Sequence, residues 1–129
     1  MASQVPSGGE TSLGVAPNVG GLLCYLPICC IGLIFAVVAA IVEKQNRFLR
    51  FHAFQGLLFQ AALYVVMLGG WVTAGVLAQI HGILGLLAWG VMSLLGLAGL
   101  GVSILLMIKA YNNEEYELPV IGSMARNWV

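Results

Sequence analysis

Residues 21–42 read GLLCYLPICCIGLIFAVVAAIV, and the reading of this stretch decides the fold. It carries no charge and matches the roughly 20 helical residues needed to cross a hydrocarbon core about 30 Å thick. Pro27 stands inside it, and a proline has no N–H for the helix ladder, so a kink or a break near the helix start is expected there. Taken as one helix, the stretch is the first of three spans. Two further apolar runs follow, at about 51–77 and 83–108. Both exceed 20 residues, so they should tilt or protrude, with protrusion expected at 51–55. A membrane β-barrel would need many alternating segments of about ten residues, which this chain lacks.

Composition agrees with a membrane solution. Of 129 residues, 60% are hydrophobic and 8% charged, against about a quarter charged in a soluble domain. The expected architecture is all-α: a polar N-terminal tail over 1–20, a three-helix transmembrane domain over 21–111, and a short interfacial segment over 112–129. The tail is rich in Gly, Ser and Pro and has no cation near its start, unlike the n-region of a secretory signal. Net charge is zero without a basic block, so no nucleic-acid partner is implied.

The cations set the expected topology. Lys44, Arg47 and Arg50 follow the first run, Lys109 and Arg126 follow the third, and the "AQIHG" link (78–82) has none. With three spans, all five share one face. The positive-inside rule makes that face cytoplasmic, with the N-terminus outside and the C-terminus inside, in a cytoplasmic membrane. Arg47 and Arg50, with Lys44, are then placed for headgroup or partner contact while Phe48 and Phe51 enter the interface.

Just beyond those arginines, His52 and Gln55 lie on one helical face, with Gln60 a little round from them. One reading is structural: hydrogen bonds to the first or third helix. The functional readings are a polar vestibule, a proton-sensitive latch, or an axial ligand for a chlorophyll-type pigment or haem brought by a partner complex. His81, in the outer link, reads as a solvated turn residue or a single pigment ligand. A bilayer would separate it from His52, so the two cannot share a metal. Cys24, Cys29 and Cys30 do not make four ligands at usable spacing and read as small packing groups. No metal site is expected.

The third run carries a small-residue face of Gly82, Gly85, Ser93, Gly96, Gly99 and Ser103, with Gly69, Gly70, Thr73 and Gly75 of the second run as its counterpart. After Lys109, the pair Asn112 and Asn113 reads as a helix stop. Glu114, Glu115 and Glu117 then form a solvated acidic face, free to pair with Lys44, Arg47 or Arg50. The chain has no aspartate and places no serine or cysteine near a histidine, so no enzyme is expected.

Two blocks, "EKQNRFLRFHAFQGLL" (43–58) and "MIKAYNNEEYELPVIGSMA" (107–125), resemble the paired motifs of a family of small prokaryotic membrane proteins of unknown function. That family is classed as similar to the twenty-kilodalton component of the chloroplast inner-envelope translocon. The resemblance implies a first motif of Phe51, His52, Ala53 and Gln55, and a second of Lys109, Ala110, Tyr111, Leu118, Pro119, Ile121 and Gly122. It implies no settled activity for prokaryotic members and, for plastid relatives, an association with protein import. The expected function is therefore a non-enzymatic accessory or structural subunit. It would sit in the lipid bilayer against a larger respiratory, photosynthetic or secretory complex, with bound lipid but no cofactor of its own. The alternative is a homo-oligomeric channel or translocation component.

Overall fold

Pro27 ends a helix rather than bending one. In the computed structural model, which describes residues 11–28 and 30–129, α1 (Pro17–Leu23) stops with Cys24 as its C-cap. A helix continued through Pro27 would drive the proline ring into the Leu23 carbonyl, and Leu26 before it is disfavoured in the helical region. The chain turns through Cys30, whose φ of 70° is left-handed, and α2 (Ile31–Val42) runs back. Cys29 and the first ten residues of the polar tail lie outside the described residues.

The expected first span is thus replaced by a helical hairpin that enters and leaves at the same end. Gly20 packs on Leu49, Cys24 on Gly56, and the N–H of Cys30 donates to the Tyr64 hydroxyl at 3.1 Å, so the chain descends beside α3 (Arg47–Ile80). The tip at Tyr64 lies about 26 Å along α3 from Arg47, at 1.5 Å per residue. From there α2 returns to Glu43, which is hydrogen-bonded to Ser12. Twelve residues of α2 span only about 18 Å, too little for a hydrocarbon core. The expectation of an N-terminal tail on the face opposite Lys44 fails for its described part, because Ser12 sits beside Lys44.

The hairpin is closed by α3 side chains where its own backbone leaves the helical ladder. The Gln60 amide donates to the Cys24 carbonyl at 2.7 Å, and the Tyr64 hydroxyl takes the Cys30 N–H. Irregular backbone inside an apolar layer needs such partners. Gly32 matters sterically: a Cβ there would collide with the Leu26 carbonyl and sit 2.8 Å from the Gln60 amide nitrogen.

Among the described residues, two helices are long and apolar enough to cross a bilayer, α3 and α4 (Gly82–Tyr111). At 34 and 30 residues they run about 51 and 45 Å. Each extends past the run expected from sequence, and one residue, His81, joins them. It closes α3 and caps α4, its Nδ1 accepting the Ile83 N–H at 3.2 Å. The helices meet along a seven-residue repeat, with Gly85, Met92, Gly99 and Leu106 buried on α4, the spacing of a knobs-into-holes seam.

Of the small residues expected on that face, Gly85 packs on Ala78, Gly96 on Met67 and Gly99 on Leu63, while Ser103 is buried. Gly82 has nothing within 4 Å, and Ser93 is exposed, bonding back to the Trp89 carbonyl. On α3 only Gly70 of the expected cluster meets α4, against Met92. Gly69 and Gly75 face open space, and the exposed Thr73 bonds to the Gly69 carbonyl. A 100° step per residue carries these positions off the seam.

Candidate functional site

Where α3 begins and α4 ends, three chain segments converge on His52 and Gln55. Tyr25, from the break after α1, places its hydroxyl 2.7 Å from His52 Nδ1, and His52 Nε2 is 3.0 Å from the Glu114 carbonyl. A carbonyl can only accept, so Nε2 carries the proton. Nδ1 is then the acceptor, and the Tyr25 hydroxyl donates to it. Gln55 completes the chain. Its amide nitrogen donates to Tyr25 Oη at 2.9 Å and to the Tyr116 carbonyl at 2.8 Å, and its carbonyl oxygen accepts the Leu118 N–H at 3.0 Å. Tyr25, His52 and Gln55 are all buried. Phe48, Phe51 and Tyr25 meet the imidazole edge to face at 4.5, 5.2 and 5.5 Å between centroids.

This network fixes one tautomer, one amide orientation and one path for the chain after α4. No sealed side-chain polar atom lacks a partner among the described residues, the condition under which a buried polar network stabilises rather than strains a core. Both imidazole nitrogens are engaged, so an axial bond to a pigment or haem at His52 would first have to displace Tyr25 or the Glu114 carbonyl. His81, at the opposite end of the helices, is exposed.

The two blocks that carried the resemblance are joined here. Phe51 and Ala53 are buried beside His52, and Ala110 packs with Tyr25 and Leu106. Leu118 bonds to Gln55, the Pro119 carbonyl accepts the Ile121 N–H, and Ile121 opens α5 (Ile121–Trp128). A Cβ at Gly122 would lie 2.9 Å from Gln55 Oε1, so the short helix rests directly on that amide. Tyr111, by contrast, is exposed, its carbonyl taking the Asn18 amide.

The acids pair with different cations from those expected. Arg126 holds Glu115 at 3.0 Å and Glu117 at 2.7 Å and lies 4.2 Å above the Phe51 ring, while Lys109 holds Glu114 at 3.1 Å. Burial disfavours the Arg126 charge, but the two carboxylates outweigh it and hold its pKa above the ordinary value. Arg50 donates to the Glu43 carbonyl at 2.7 Å and approaches the Phe54 ring. Lys44 and Arg47 are exposed and make no ion pair among the described residues. All five cations nonetheless sit at this one end.

Glu43 was not singled out by sequence, yet it ties three segments together. Its carboxylate accepts the backbone N–H groups of Ser12, Gln45 and Asn46 at 2.8, 2.9 and 3.0 Å, and the Ser12 hydroxyl at 3.1 Å. Burial pushes its pKa up, but those bonds prevail and the net shift is downward. Asn46 then caps α3 through the Leu49 N–H. Tyr25 was also missed. Its signal was present, since a hydroxyl inside an apolar stretch needs a partner, but the cysteines around it drew the reading.

Residues 10–125 match the model of the magnetosome magnetite crystal formation protein family, and the chain belongs to that family. It is 36% identical to the UPF0132 membrane protein MJ1443 of Methanocaldococcus jannaschii, over 93% of this chain and 94% of that protein. A second protein of that organism, UPF0132 membrane protein MJ1527, is 32% identical over 91% of this chain and 73% of its own length. A UPF0132 membrane protein of Archaeoglobus fulgidus is 31% identical over 87% and 94%. This is a small membrane-protein family, and the chain is a membrane protein. A link to the chloroplast translocon component is not shown by these matches. No solved structure matches the chain.

Proposed function

We propose that this member of the magnetite-crystal-formation family is a non-enzymatic structural subunit of a membrane assembly. In this reading a hydrogen-bonded head holds its fold and the outer α3–α4 pair packs against other membrane helices. The observation that carries it is the bonding of the polar stripe. His52, Gln55 and Tyr25 are the groups best placed for catalysis, ligation or conduction, and each is engaged inside the chain. The same fact weighs against the channel reading, which needs that stripe open to water.

Applied to this geometry, the positive-inside rule puts Ser12, the 43–46 loop and the C-terminal segment on the cytoplasmic side and His81 on the other. The family's description concerns magnetite crystal formation in magnetosomes, while the archaeal relatives are described only as membrane proteins. A scaffolding role in the bilayer suits both settings without a shared reaction.

The test is a photocrosslinking residue at Leu86 or Leu94 of the outer pair, used in native membranes and followed by gentle extraction. Crosslinks to one integral membrane protein, with none from a crosslinker at buried Leu106, are the expected result. A lipid-surrounded monomer crosslinked to no protein would overturn the proposal, and products made only of this chain would favour a self-assembled structure.

A further inference from the structure

Beneath the tip of the α1–α2 hairpin lies a cavity of about 300 Å³ between α3 and α4, lined by Pro27, Gln60, Tyr64, Met67, Leu100 and Ser103 among others. Its size is at the lower end of small-ligand sites. Of its lining residues, Tyr64 and Leu100 are exposed on the apolar flank. No charged residue lines it among the described residues.

Its polar groups are unusual for such a place. Ser103 is 2% exposed, yet its hydroxyl has no hydrogen-bond partner among the described residues. The exposed hydroxyls of Thr73 and Ser93 both bond back to the carbonyl four residues earlier, the usual solution in an apolar helix. Ser103 does not. Because no sealed side-chain polar atom is left unpaired, its oxygen opens onto the cavity. Gln60, 4% exposed, gives its amide nitrogen to the Cys24 carbonyl, and its own oxygen has no partner among the described residues. The Tyr64 hydroxyl accepts from the Cys30 N–H and keeps its proton to donate.

We infer that this cavity is a binding site for a neutral, hydroxyl-ended amphiphile, its chain against Pro27, Met67 and Leu100 and its hydroxyl between Gln60, Tyr64 and Ser103. A hydroxyl both donates and accepts. It can give its proton to the Gln60 oxygen and take one from Ser103 or Tyr64, whereas an alkane leaves all three unpaired. A carboxylate or ammonium would be desolvated with no counter-charge. The inference is independent of any protein partner.

The experiment uses an octanol carrying a photoreactive diazirine, applied to the purified full chain in detergent, with labelled residues located by mass spectrometry. Saturable labelling at Tyr64, Met67 or Leu100 is expected, competed by 1-decanol but not by decane or decanoate. Ser103→Ala, which removes a single oxygen, should keep the thermal midpoint and lower the apparent affinity about fivefold, as for one lost hydrogen bond. Labelling as dense at Leu86 and Leu94 as at the cavity would overturn the inference. So would equal competition by decane, or an unchanged affinity in the Ser103→Ala chain.

Discussion

The two ends of the α3–α4 pair are built on different physics. At the head, α1, α2, α5 and the segment after α4 surround the pair, and polar side chains join them across separations of up to 93 residues. At the other end, from about residue 68 to 95, nothing else in the described chain covers it, and Leu68, Val72, Leu86 and Leu94 are all exposed. In lipid, exposed apolar side chains carry no penalty and bring no drive toward association. The outer half is therefore held by shape, through Gly70 on Met92, Gly85 on Ala78 and Trp71 edge-on to Trp89 at 5.5 Å. The head needs hydrogen bonds to choose one arrangement, and the outer half needs only small residues at the right period.

That contrast can be broken most sharply at the hairpin tip. Gly32→Val should push Leu26 away from α2 and open the Gln60 contact, destabilising by about 3 kcal/mol or more. Loss of a monodisperse peak on size exclusion in mild detergent is the expected readout. Next is His52→Ala, which strands the Tyr25 hydroxyl and the Glu114 carbonyl at a cost of roughly 2–4 kcal/mol. The thermal midpoint should fall while the distance between spin labels at residues 68 and 94 stays as in the parent chain. A change in that distance would mean the two ends are not separable.

Smaller again is Trp71→Ala, worth about 1 kcal/mol from the ring pair beyond the area it removes. It should move that distance distribution and leave exchange protection of the Leu118 amide intact. The smallest effect sharpens the comparison by pH. Because the Glu43 pKa is lowered on folding, its stabilisation is fully present above the ordinary carboxylate value and is lost as pH falls through the folded value. Melting temperature should stay level from pH 7 to about 5 and decline below, while Glu43→Gln starts lower and loses this acid-dependent component.

The same division explains what the sequence disclosed. Helical class, the two long helices and the clustering of cations follow from hydropathy and charge, which are local. Pro27 was legible as a kink or a break, but the return of α2 was not. It depends on Gln60 and Tyr64, more than 30 residues away, meeting the stray carbonyl and N–H of the break. Read as one span, the segment also put residues 11–20 on the face opposite Lys44. His52 and Gln55 were visible as a polar stripe. Their partners are a tyrosine hidden among cysteines and three backbone groups between 114 and 118, and backbone donors and acceptors leave no mark in residue type.

His81 alone joins α3 to α4. A connection that short leaves no loop to be cut, glycosylated or grasped, and the two helices must enter a bilayer together as one folded pin. Every described tail and every cation lies at the other end. Seen from the His81 side, the described residues offer a probe one imidazole and two helix ends.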